Sequence, residues 1–320
     1  MDIAEFLIEP LRYAFMVRAL ITSLVAAIVC GLLSCWLVLV GWSLMGDAVS
    51  HAVLPGVVLA YIAGMPFAVG AVIFGFLAVA LIGLVRDTSR VKEDAAIGIV
   101  FTTLFAFGLV LISVTPSDTD LNHIIFGNIL GVGPDELLQI VVLAAFVFVV
   151  LVLKRRDFTL YAFDRIHAYA IGLNPRVLGA TLLGLLALTA VVALQAVGVV
   201  LVVAMLIIPG ATAYLLTDRF GRMLILAPSI SAICALTGLY VSYYADTAPG
   251  ATMVLAQGTV FTAIYLFAPR QGLIGSRLVT ARRRARDSRA GAQARDTSAP
   301  PGSNTEPPPG GGGRGPGGLG

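Results

Sequence analysis

The chain has 320 residues, 58% of them hydrophobic and 12% charged, with a mean hydropathy of +0.94 and a formal net charge of +3. Soluble domains carry about 25% charged residues, so a soluble globular enzyme is excluded and a polytopic membrane protein is expected. The charge is uneven: from Arg270 onward nine arginines face three acids, which leaves +6 on the tail and −3 on the rest.

In chain order, apolar stretches fall near 18–40, 44–64, 66–86, 95–115, 136–154, 177–197, 199–216, 223–243 and 250–268. Runs of about 20 such residues cross the hydrocarbon core as helices. The expected fold is therefore all-α, a transmembrane bundle of nine spans, or eight if 177–216 holds one span and a broken one. No cleavage pattern precedes the first stretch, so no signal peptide is expected. Arg86, Arg90 and Lys92 follow the third span, and Lys154, Arg155, Arg156, Arg165 and Arg176 follow the fifth. Arg219 and Arg222 precede the eighth. By the positive-inside rule these segments and the C-terminus are cytoplasmic, and nine crossings put the N-terminus outside.

The opposite loops read differently. Residues 116–136 hold Asp118, Asp120, Asp135 and Glu136 without a basic residue, and Asp246 lies in another outer turn. They form either an acidic vestibule that concentrates cations or ordinary solvated loops. Cys30, Cys35 and Cys234 lie in apolar spans without metal-ligand spacing and read as packing residues. Residues 1–269 form the membrane domain. Residues 270–320 run from an Arg-rich segment into Pro/Gly repeats that cannot bury a core, and a disordered cytoplasmic tail is expected there. Its arginines serve as a topology anchor or touch anionic headgroups.

The second span carries the chemistry. In GDAVSHAVLPG, Asp47 and His51 stand four residues apart and share one helix face, with Ser50 beside them. A charged group near the bilayer centre costs about 2.5–3.5 kcal/mol on insertion scales, so compensation is required. One reading is a hydrogen-bonded pair that satisfies itself inside the bundle. The other is a transit site, since carboxylate and imidazole suit divalent manganese, iron or zinc. Pro55 has no N–H for the carbonyl of His51, so a helix break with a freed ligand oxygen is expected there. Pro209 likewise predicts a break in the seventh span at the Met205 carbonyl, and broken helices often line transporter paths. Gln195 either faces the pathway or, the favoured reading, bonds a neighbouring helix. Asn122 and His123 lie just outside the fourth span, as solvated residues or as part of an outer gate.

Five segments, LMGDAVSHAVLPGVVLAYIAG (44–64), KEDAAIGIVFTTLFAFGLVL (92–111), DLNHIIFGNILGV (120–132), AFDRIHAYAIGL (162–173) and QAVGVVLVVAMLIIPGATAYLL (195–216), occur in this order. Together they resemble the membrane permease of the zinc/manganese/iron ABC importers, from about residue 5 to 268. The resemblance implies a bacterial plasma-membrane permease, a homodimer or heterodimer, with no nucleic-acid partner and no permanently bound cofactor. It implies a cytoplasmic ATP-binding subunit and an extracytoplasmic metal-binding lipoprotein as partners. It makes Asp47 and His51 the metal-pathway ligands and places Asn122 and His123 in an outer gating or docking motif. It assigns Asp164, Ala168 and Gly172 to the segment that couples to the ATPase. Arg165-Ile166-His167 departs from the family pattern within that segment, and the first cytoplasmic turn lacks the basic pair that relatives often carry. No G-x-x-x-x-G-K-[ST] loop occurs, so ATP hydrolysis is expected on another subunit. The rivals are a gradient-driven carrier, a permease for a chelated metal or vitamin, and a membrane scaffold without transport.

Overall fold

The computed structural model describes residues 8–115 and 129–268. Among them there are helices and turns and no strand. After a 3-10 turn at Pro10–Arg12 come α1 (Ala14–Val40), α2 (Ser43–Ala52), α3 (Leu54–Ile62), α4 (Phe67–Thr88) and α5 (Glu93–Val114). A second 3-10 turn, Ile129–Gly131, leads into α6 (Pro134–Leu153), α7 (Arg155–Phe163), α8 (Arg165–Ala170) and α9 (Pro175–Val197). The chain then forms α10 (Val199–Leu216), α11 (Phe220–Ala245) and α12 (Pro249–Phe267). Eight segments are long and apolar enough to cross a membrane, α2 and α3 counting together, and the apolar stretch Val202–Leu216 of α10 is shorter. The predicted bundle is thus observed, with segment starts moved by up to four residues. Polar residues that apolarity does not count open several of them: the Asn174 side chain accepts from the Arg176 and Val177 amides and starts α9.

Burial divides the bundle. In α1, in α2–α3 and in α9, 67%, 72% and 78% of the apolar window is buried, against 22% in α5 and α6 and 17% in α12. The first three form the centre and the others face outward. Lipid tails give helices no hydrophobic reason to associate, so close backbone approach by small residues carries the packing. Gly56 on α3 and Gly70 on α4 show it: a Cβ on either would fall on the carbonyl of the other. α1 meets α10 in the same way, since a Cβ at Gly210 would come within 2.6 Å of the Ser34 carbonyl oxygen.

The two prolines behave differently. At Pro55 the helix is interrupted: α2 ends at Ala52, Val53 is a turn, and α3 begins at Leu54. Within the turn, the Val53 N–H lies toward the His51 carbonyl. At Pro209 the expected break is absent and α10 runs through the proline. The discontinuity falls at Gly198 instead, whose φ of 82° and ψ of 167° separate α9 from α10. Only glycine adopts that backbone readily, so 177–216 is two helices meeting at a glycine hinge.

Candidate functional site

Asp47 and His51 lie one turn apart on α2, just before its bend. His51 Nε2 stands 3.3 Å from Asp47 Oδ1. That is long for an N–H···O bond, which falls at about 2.7–3.2 Å. Two donors bound cis to one first-row ion at about 2.0–2.2 Å each stand roughly 2.9–3.4 Å apart. The separation fits both a long Asp–His hydrogen bond and two ligands of one cation. The second His51 nitrogen, Nδ1, is buried with no hydrogen-bond partner among the described residues. Burial without a partner costs about 1–3 kcal/mol.

The wall behind the imidazole comes from α5. The His51 ring centre lies 5.6 Å from Phe101 and 5.1 Å from Phe105, edge-on to the latter at 79°. Phe101, Phe105 and Gly108 follow one stripe of α5. A Cβ at Gly108 would come within 3.0 Å of the Pro55 nitrogen and Leu54 Cγ. The missing side chain lets α5 seat against the bend and press its two rings on the histidine. The side chains of His51 and Asp47 are 19% and 37% exposed, so the pair opens at the surface of the subunit. Ser50 does not join it: buried, it donates to the Gly46 carbonyl at 2.6 Å.

Among the described residues no group of three or more His, Cys, Asp or Glu side chains could hold a metal ion. Asn122 and His123 lie outside the described residues, as do Asp118 and Asp120. Of the other acids expected in the outer loops, Glu136 accepts from the Gly133 N–H at 3.1 Å and caps α6, and Asp246 ends α11 at φ 51°. Both have local structural work apart from any vestibule. Gln195 Oε1 is buried and has no hydrogen-bond partner among the described residues.

The segment 162–173 folds as a capped knob. Asp164 breaks α7 from α8 and its Oδ1 accepts from the Ile166 and His167 amides at 3.0 and 2.9 Å. Ala168 is buried. Gly172, at φ 90°, ends α8: its N–H reaches the Tyr169 carbonyl and the Leu173 N–H the Ala168 carbonyl, each at 3.0 Å. These three residues hold the shape, and others form its surface. Phe163, Ile166, Tyr169 and Ile171 are 64%, 84%, 74% and 58% exposed, and His167 is exposed beside them. Four large apolar side chains on a six-residue helix and its flanks mark a contact surface. Their signal in sequence is apolar residues between basic ones, which reads equally as a buried face.

Two rings join this knob to the start of α2. The Arg165 guanidinium lies 4.9 Å over the Tyr161 ring, and the Tyr161 and Trp42 ring centres are 6.3 Å apart. Trp42 is the residue from which α2 starts. Burial pushes the Tyr161 phenol above its ordinary pKa, against the opposing charges of Arg165 and Arg86. The phenol is therefore neutral near pH 7, and Arg165 meets the face of an uncharged ring.

The model of the ABC 3 transport family matches residues 12–268. The chain is 48% identical over 270 residues to the manganese transport system membrane protein MntB of Synechocystis, covering 84% of this chain and 88% of the relative. It is 51% identical over 257 residues to a probable iron transport system membrane protein of Haemophilus influenzae, with 80% and 95% covered. Among solved structures, PsaBC from Streptococcus pneumoniae in complex with Fab superposes with a TM-score of 0.78 at 39% identity, covering 84% of this chain and 97% of the other. This chain therefore belongs to the ABC 3 transport family of multi-pass membrane proteins.

Proposed function

We infer that this chain is the membrane-spanning permease subunit of an ATP-driven importer of divalent transition metal ions. The observation that carries the reading is the Asp47–His51 pair, which stands at a separation that fits two ligands on one cation and opens at the subunit surface. An ionised carboxylate and a neutral imidazole would replace part of the hydration shell of manganese, iron or zinc. Two protein ligands are too few for tight capture, and the remaining positions fall to water and to groups beyond the described residues of one chain. Such a site passes an ion on.

The relatives are named for manganese, iron and chelated-iron transport, which supports a transition metal as cargo. A cytoplasmic ATP-binding subunit is the partner of the α8 knob, whose exposed Ile166 and Tyr169 would fill a groove on it. An extracytoplasmic metal-binding lipoprotein delivers the ion, and a second permease copy or a close relative completes the pathway. The basic segments, including the C-terminus, then lie in the cytoplasm. No step of ATP hydrolysis is assigned to this chain.

Mechanically, motion of the ATPase would move α8, and Arg165, Tyr161 and Trp42 would carry it to the start of α2 and so to the pair. Reconstitution of the complex in vesicles with radiolabelled manganese tests the reading. Uptake that requires ATP and persists with ionophores present agrees with it. Uptake that follows an ion gradient without ATP would assign the chain to gradient-driven carriers instead.

A further inference from the structure

A groove of about 980 Å³ lies at the basic end of the bundle, between α1, α6, α7 and α11, and neither Asp47 nor His51 lines it. Phe220 forms part of its floor, backed by the fully buried Trp36, with ring centres 5.6 Å apart and edge-to-face. Phe148 flanks it, 41% exposed, and Arg155 and Arg156 stand at its mouth. Along α11 the lining runs from Phe220 to Ala232. At about 1.5 Å per residue that is about 18 Å, close to the depth of one leaflet of a hydrocarbon core about 30 Å thick.

The charges at the mouth are uncommitted. Lys154 pairs with Asp157 at 3.5 Å, but among the described residues neither Arg155 nor Arg156 has a carboxylate partner. Two free guanidiniums therefore sit where a leaflet-deep apolar trough ends. Basic pockets between spans on the cytoplasmic side select anionic headgroups, and guanidinium matches phosphate oxygens in a planar fork.

We propose that this groove binds one anionic glycerophospholipid of the cytoplasmic leaflet, with an acyl chain along Phe148, Phe220 and Ile225 and the phosphate between Arg155 and Arg156. The chain's own tail does not suit the groove, because its first segment, residues 270–286, is itself rich in arginine. Lipid here would fill the space between α6 and α11 next to α7, the helix that leads into the knob.

The test uses the purified full-length permease with its ATPase subunit in mild detergent, titrated with phosphatidylglycerol or phosphatidylcholine and read by native mass spectrometry. The wild type should retain phosphatidylglycerol in preference to phosphatidylcholine. Arg155→Ala with Arg156→Ala should reduce that preference about tenfold. Ala232→Trp, which fills the trough, should reduce retention of both lipids, and Lys154→Ala should leave both unchanged. Equal preference in the double variant and the wild type would overturn the proposal. So would an equal loss in Lys154→Ala, which would mean a general basic surface. An Ala232→Cys variant that forms a disulfide between two copies would also overturn it, by placing the groove inside a subunit contact.

Discussion

The guanidinium of Arg165, the first residue of α8, lies 4.9 Å over the ring of Tyr161. Tyr161 is buried between that charge and Trp42, so the knob and the first turn of α2 share one aromatic contact. Motion at α8 that left Tyr161 in place would have to break a cation–π contact of about 0.5–2 kcal/mol. Tyr161→Leu should keep the ATPase subunit bound and hydrolysing ATP while manganese uptake falls several-fold. Tyr161→Phe, which keeps the ring, should retain uptake. Equal uptake in the leucine variant and the wild type would remove Tyr161 from the coupling path.

The exposed side chains of α8 give a separate prediction. Ile166 and Tyr169 touch little within the chain, so changing them should cost at most about 0.5 kcal/mol of stability. Ile166→Asp with Tyr169→Asp should therefore leave the melting temperature near that of the wild type and abolish copurification of the ATPase subunit. Copurification at the wild-type level would show that α8 is not the docking surface.

The cap of the same knob should behave in the opposite manner. Asp164→Ala removes an oxygen that accepts from two amides, a loss of about 0.5–2 kcal/mol in comparable caps. Faster amide exchange across 165–170 is expected, and Asp164→Asn should restore much of the protection. Unchanged exchange in the alanine variant would contradict the capping role.

Packing of α3 on α4 has no slack at Gly56 and Gly70. Gly70→Leu would drive a side chain into the Gly56 carbonyl, and overpacking of this kind costs about 1–3 kcal/mol or more. A fall of about 5–10 °C in the melting temperature of the detergent-solubilised protein is expected. Gly83→Leu, at an open position on the same α4 helix, should change it little. Equal shifts for the two would show that α3 and α4 do not pack through these glycines.

The bundle was readable because a bilayer demands long uninterrupted apolar helices, and each predicted span lies within a few residues of an observed helix. Proline was the weaker guide. Pro55 and Pro209 each remove one backbone donor, yet only at Pro55 does the helix stop. Gly198 breaks the chain more completely, because its φ of 82° is closed to other residues. Asp47 and His51 were found from their spacing, since i and i+4 share a face wherever a helix forms. Phe101 and Phe105 were not, because an α5 that is apolar all round gives no sign of which two rings meet an imidazole 50 residues away in sequence. Asp164, Ala168 and Gly172 stand out as a motif; in the structure they cap, pack and end α8, while Ile166 and Tyr169 are exposed on it. Asn122 and His123 stay as sequence expectations, outside the described residues.

Transport through the second span is tested most directly by ATP-driven uptake of radiolabelled manganese into vesicles holding the whole complex, with Asp47→Ala and His51→Ala compared against wild type. If the cation passes between these side chains, each variant should lower the rate by at least about tenfold while the ATPase stays bound and active. Wild-type uptake in either variant would contradict the assignment.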